Sequence, residues 1–180
     1  LVGDGAERID QLVAVDVGVL LGLTNSTVLP YNFEKTCEDM TKKVAFIKAE
    51  SGNVIKLDGI ERKINSLSKN VNKLNVLREK GSCGELDKET VRKLNDTLLR
   101  LSRSITNAFY TNAEKYDQDS YGRTILSKPL PLLYPMIELS KMDRESEEYK
   151  LLYTKMLRNR NRVFDAVSLA DEYVSLFLGE

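Results

Sequence analysis

Two long stretches in the middle of the chain repeat apolar residues at steps of three and four, and this spacing constrains the fold most. The first repeat runs from Leu57 to Leu74, and the second runs from Val91 to Phe109. Steps of three and four place side chains on one face of an α-helix. Each helix would then bury a narrow stripe, as bundle helices do. We expect these stripes to fill the domain's own core rather than an intermolecular coiled coil.

The same spacing predicts an all-α, up-and-down, four-helix-type bundle. A first helix, at about residues 6–24, is apolar on most faces in its second half, which predicts that it is buried. A second helix begins at Asn32 and ends at the turn over residues 51–53. Helices three and four span about residues 57–79 and 87–112, and their short connection makes them antiparallel neighbours. The last helix spans residues 145–177, with a break near Asn159 left open.

A structured segment rich in Tyr and Pro precedes the last helix, over residues 114–135. It lacks the Ser and Gly of a flexible linker, and residues 123–127 could form a short extended piece. Tyrosine is common at protein interfaces because it combines apolar area with a polar tip. Two interpretations stay open, a partner surface and a loop packed on its own bundle. The candidate interface residues are Tyr116, Tyr121, Arg123 and Tyr134.

Composition narrows the function classes. The chain has 180 residues, enough for one domain, and its 27 basic and 27 acidic residues give no net charge. This balance predicts no attraction to nucleic acid and no direct membrane contact. The chain contains no His, the commonest general base and metal ligand, so we expect no catalytic residue, no bound metal and no cofactor in it. We expect Cys37 and Cys83 to be free, largely structural thiols, with a disulfide as the alternative.

The charged clusters are interpreted as surface features rather than as catalytic or nucleic-acid-binding sites. We expect the carboxylates at residues 38–39, 143–148 and 171–172 to lie on solvated helix surface, because nothing makes them converge in a cleft. The basic run Arg158-Asn-Arg-Asn-Arg162 lacks interleaved aromatic residues. It is expected to be an exposed helix face or a polar contact between subunits.

The chain begins with Leu1 and shows no signal-peptide pattern, which favours a fragment of a longer protein. The apolar run over residues 17–23 is too short to span a bilayer. Any membrane segment is therefore expected upstream. Two triplets fit the N-glycosylation pattern, at Asn25 and at Asn95, and they matter only on the lumenal side of a membrane.

Three segments resemble one known family, in the same order along the chain. The first is the apolar helix leading into Leu23-Thr-Asn-Ser-Thr-Val-Leu-Pro-Tyr-Asn, and the second is Leu94-Asn-Asp-Thr-Leu-Leu-Arg-Leu-Ser-Arg-Ser-Ile. The third is Tyr121-Gly-Arg-Thr-Ile-Leu-Ser, and the terminal helix ending Ala170-Asp-Glu-Tyr-Val fits the family in length and position. Together they resemble the transferrin-receptor-like dimerisation domain of the glutamate carboxypeptidase II and transferrin receptor group.

The resemblance implies a single homodimerisation domain over residues 1–180, non-catalytic by itself. In that family it follows a zinc-peptidase-like domain, usually in a single-pass membrane protein facing the lumen or the cell exterior. The implied partners are a second copy and the upstream peptidase-like domain, and any zinc would be bound upstream. Some members of the family are zinc peptidases, and others act as receptors or sorting adaptors.

One departure limits what the resemblance implies. Where the carboxypeptidases carry His-Asn-Lys-Tyr-Ala-Gly, this chain reads Ser127-Lys-Pro-Leu-Pro-Leu-Leu-Tyr134. Glutamate-specific exopeptidase activity of the parent is therefore not implied. Two alternatives remain: a cleft-shaping C-terminal domain of an active zinc carboxypeptidase or aminopeptidase, and a free-standing helical adaptor.

Overall fold

A computed structural model describes residues 3–111 and 129–179, and in the first helix it describes the side chains of residue 9 and of residues 11–25. These parts of the chain contain helices and no strand, which confirms the all-α prediction. The helices are α1 (Gly3–Asn25), α2 (Glu34–Glu50), α3 (Asp58–Ser82), α4 (Lys88–Phe109), α5 (Pro135–Leu139) and α6 (Glu147–Leu178).

Local chemistry sets the helix ends. The carboxylate of Asp87 accepts hydrogen bonds from the N–H groups of Glu89 and Thr90 in the first turn of α4, and the hydroxyl of Ser146 accepts one from an N–H group of α6. The last helix ends at Gly179, whose φ of +77° suits glycine. Asn32 lies two residues before α2, where its amide oxygen accepts from the Glu34 N–H at 2.9 Å. Helix two therefore begins slightly later than predicted.

The helices alternate in direction. Lys48 near the end of α2 bonds Asp58 at the start of α3, at 2.7 Å, and Arg78 near the end of α3 donates to the carbonyl of Tyr31 before α2. Helices α2 and α3 are therefore antiparallel, and a short turn returns the chain into α4. Among the described helices, α6 packs closely against both α3 and α4. The prediction that α3 and α4 are close neighbours is therefore wrong, because α6 packs against each of them instead.

The predicted stripes form one core. On α2, α3 and α4 the residues at helical spacing are buried, and α6 closes the core from the other side. Helix α6 is continuous through residues 158–162, so the break left open near Asn159 does not occur. Asn159 is itself buried, and its amide donates to the carbonyl of Leu132 at 3.0 Å. The largest fully buried side chains are Met40, Ile47, Leu57, Ile60, Ile64, Leu67, Leu74, Leu94, Leu98, Leu101, Leu130 and Leu133.

Helix α1 contradicts the prediction of a buried first helix. Every side chain of α1 that the structure describes is exposed, and none of the closely packed helix pairs includes α1. An apolar sequence shows that a helix needs a surface to pack against, but it does not show that the same chain supplies that surface.

The end of the Tyr- and Pro-rich segment is described from residue 129 onward. Leu130 is buried with a φ of +59°, and its N–H donates to the carbonyl of Phe109 at 2.9 Å, which ties the segment to the end of α4. The short helix α5 follows, with Pro135 at its first position, and it was not predicted. The extended piece predicted for residues 123–127 lies outside the described residues.

Candidate interaction surface

Within the described residues, the largest group of exposed apolar side chains lies on α1. Its exposed large side chains include Leu12, which is 65% exposed, and Leu20, which is 60% exposed. At 100° per residue these apolar positions surround most of the helix rather than one stripe. The α1 surface, as we name it, comprises Ile9, Leu12, Val13, Val15, Val17, Val19, Leu20, Leu21 and Leu23.

The remaining side of α1 carries two glycines. Gly18 and Gly22 lie one turn apart on it, with nothing within 4 Å of either added Cβ. At the end of the helix, the Thr24 hydroxyl donates to the carbonyl of Leu20 at 2.8 Å, and the Ser26 hydroxyl donates to that of Gly22. These two hydroxyls thus bond back to carbonyls of α1, whereas the polar side chains of Gln11 and Asp16 are also exposed on the helix.

The joint between α1 and α2 is held by one side chain of α4. The amide oxygen of Asn95 accepts from the Leu29 N–H at 2.9 Å, and its amide nitrogen donates to the Thr27 carbonyl at 3.0 Å. Two bonds from one planar group fix both the position and the direction of the extended segment. This role of Asn95 was not predicted from the sequence.

Between these two residues, Val28 enters the core. It is 3% exposed, and its γ-methyl would lie only 2.7 Å from a Cβ at Gly81. Only glycine allows the joint to approach α3 this closely. The joint is therefore a packed part of the bundle, and α1 leaves it at a defined point.

The structure describes one of the four candidate interface residues, Tyr134. Tyr134 is half-buried, and its ring centre lies 6.5 Å from that of Phe46 on α2. This contact belongs to the bundle itself and uses part of the ring. Tyr116, Tyr121 and Arg123 lie outside the described residues.

The two glycosylation candidates also differ. Asn25 is exposed as the last residue of α1. The amide nitrogen of Asn95, where a glycan would be attached, donates to Thr27 in the folded chain. A glycan at Asn95 would therefore displace the joint.

Two carboxylates meet at a lysine on the surface. Lys48 bonds both Asp58 and Glu61 at 2.7 Å. The bond from Lys48 holds the pKa of Asp58 below its usual value, and the bond to Asp58, followed by that to Glu61, raises the pKa of Lys48. Lys48 and Asp58 thus stay charged at neutral pH, and neither is poised to exchange a proton. The cluster links α2 to α3.

Asp171 corrects the expectation of a solvated carboxylate at residues 171–172. It is 5% exposed, accepts from the Asn70 amide at 2.9 Å, and lies 3.6 Å from the Lys63 ammonium. Asn70 also donates to the hydroxyl of Ser175 at 3.0 Å. This buried group joins α3 to α6 and is satisfied by its own neighbours.

Both cysteines are free, as predicted. Cys37 is fully buried, and this burial raises the pKa of its thiol to about 12. Cys83 is exposed, so the expected structural role applies to Cys37 and not to Cys83.

No group of three or more potential metal ligands occurs within residues 3–111 and 129–179. Across the same residues, no helix is both long and apolar enough to cross a membrane. No protein-family model, no curated protein and no solved structure matches the chain.

Proposed function

We propose that this chain is the homodimerisation domain of a protein similar to glutamate carboxypeptidase II and the transferrin receptor, and that it is non-catalytic by itself. The α1 surface is the observation that supports a role within a larger assembly, and homodimerisation itself rests on the resemblance. A helix with nine large exposed hydrophobic side chains is built to be covered by further protein. The joint and the α4 segment resemble those of the transferrin-receptor-like dimerisation domain, and this resemblance favours a homodimer.

The cost of leaving α1 uncovered supports an assembly role. Full burial of one Val, Leu or Ile side chain contributes about 1.5–3 kcal/mol, so nine half-exposed side chains forgo on the order of 10 kcal/mol. This is comparable to the whole stability of a domain, which is about 5–15 kcal/mol. A contact on one side would recover only part of it, because the apolar residues surround most of the helix. We propose that α1 packs within the peptidase-like domain that the resemblance implies.

The second candidate function is a cleft-shaping C-terminal domain of an active zinc metallopeptidase. The α1 surface also favours it, because a helix built into a neighbouring domain would fix this bundle against that domain. In this alternative the zinc ligands belong to the neighbouring domain. Both candidates place the domain on the lumenal or extracellular side of a single-pass membrane protein.

Sedimentation equilibrium of the 180-residue chain over a wide concentration range tests the proposal. We expect a reversible dimer with one dissociation constant. A mass that stays at the monomer value throughout would overturn homodimerisation by this domain. Val19→Glu, on α1, should lower the fluorescence of a dye that binds apolar surface but should leave the dimer intact. Val76→Glu, on the exposed side of α3, is the matched control.

A further inference from the structure

Helix α6 exposes a second apolar pattern on the side away from its core face. Leu151 is 71% exposed, Leu169 is 40% exposed and Leu176 is 68% exposed. They are separated by 18 and 7 residues, which correspond to five turns and about two turns of an α-helix. All three therefore lie on one line, about 38 Å long. The core face of the same helix carries Met156, Val163, Val167, Ala170 and Val174.

Charged residues of both signs lie on and beside this line. Lys155 and Arg158 are exposed in the first half of α6, and Asp165 and Glu172 are exposed in the second half. None of the four makes an ion pair with another described residue. The exposed side of α6 thus begins with acidic Glu147 and Glu148, continues with basic Lys155 and Arg158, and ends with acidic Asp165 and Glu172.

We propose that α6 pairs with α6 of a second copy, antiparallel, about a two-fold axis beside residues 163–164. Residues whose numbers sum to 327 then lie opposite each other. Leu151 meets Leu176 of the second copy, and Lys155 meets Glu172. The aliphatic stem of Arg158 covers Leu169, and the axis repeats each contact. This inference rests on the proposed homodimer and names its seam.

Other arrangements of the same two helices lose these contacts. A parallel pair in register places Lys155 against Lys155 and Glu172 against Glu172, which repels. An antiparallel pair shifted by one turn, with a sum of 323, places Glu172 opposite Leu151. It also leaves Lys155 opposite an uncharged residue, Ser168. A sum of 320 pairs Leu151 with Leu169 and Lys155 with Asp165, but it sets Arg158 against Arg162 and places Leu176 beyond the start of the partner helix. The sum of 327 is the arrangement that uses all three leucines and also pairs Lys155 with Glu172.

Charge reversal tests the register. We expect Lys155→Glu and Glu172→Lys each to raise the dissociation constant of the dimer at least about tenfold, because attraction becomes repulsion at two symmetric places. The double variant Lys155→Glu/Glu172→Lys should return the constant to within about threefold of the wild-type value, because the pair is restored in reverse. Lys69→Glu, on the exposed side of α3, is the control and should leave the dimer unchanged.

An apolar truncation gives a second measurement that does not depend on charge. Leu176→Ala should weaken the dimer by at least about tenfold, and Val76→Ala should not, although both side chains are largely exposed in the single chain. A wild-type dimer that is insensitive to Lys155→Glu, Glu172→Lys and Leu176→Ala overturns the α6 seam and leaves homodimerisation standing. A wild-type chain that is monomeric overturns the proposed function, and the seam with it.

Discussion

Replacing Asn95 by alanine should release the joint between α1 and α2. The substitution removes the bond from the Leu29 N–H and the bond to the Thr27 carbonyl. Each net hydrogen bond contributes about 1 kcal/mol, so the loss is about 2 kcal/mol. Alanine regains about 0.5 kcal/mol because it is the better helix former within α4. We therefore expect a net loss of about 1.5 kcal/mol.

Hydrogen exchange at the Leu29 amide is the most direct assay, because this N–H loses its acceptor. A local loss of about 1.5 kcal/mol corresponds to roughly tenfold faster exchange. The control is Asn65→Ala, at an exposed position of α3, where only the helix-propensity gain remains and stability should rise slightly. If Asn95→Ala leaves exchange at Leu29 unchanged, Asn95 does not hold the joint, and the assignment of its role is wrong.

Three further predictions follow from single contacts. Gly81→Ala should lower the free energy of unfolding by about 1–2 kcal/mol in urea melts, because the new methyl group meets Val28, and an unchanged or raised value would contradict this packing. A thiol reagent should label Cys83 at once and Cys37 only on unfolding, so two equally fast thiols in the native chain would refute the burial and raised pKa of Cys37. The bond from the Thr90 hydroxyl, followed by the amide bonds, lowers the pKa of Asp87, so the stabilising effect of this carboxylate is present above the ordinary carboxyl pKa and is lost as pH falls through the lowered pKa. The difference in urea midpoint between wild type and Asp87→Ala should therefore become smaller as the pH falls through the lowered pKa. A difference that grows on acidification would contradict the sign of the effect.

The sequence pattern predicts where helices form better than it predicts which surfaces pack against them. On α3 and α4, steps of three and four identify both the helix and its buried face, because each stripe packs inside this chain. On α1 the same apolar signal is stronger, yet its side chains are exposed in the described part of the chain. Hydrophobicity reports the need for burial, and only the neighbours decide where burial occurs. The prediction for α1 was therefore wrong about location and not about helix formation.

The sequence spacing is enough to place the three exposed leucines of α6 together. They are separated by 18 and 7 residues, which puts them on one side of a long helix. The role of Asn95 could not be predicted in this way, because Asn95 lies between the repeat positions of α4 and leaves the apolar repeat unbroken. Its partners at Thr27 and Leu29 lie more than 60 residues away, and no local pattern identifies them.

The placement of α6 between α3 and α4 depends on polar groups that a sequence pattern assigns to the surface. Asp171 reads as half of an acidic pair, and Asn70 reads as a polar position beside the α3 stripe, yet each is less than one-tenth exposed in the folded chain. A buried carboxylate is costly unless it is bonded, so a neighbouring helix without Asn70 and Lys63 would be disfavoured beside this face of α6. Apolar stripes allow several helix orders of similar energy, and this bonded group favours one of them. The exposed side of α6 is then left facing outward, where the proposed seam with a second copy forms.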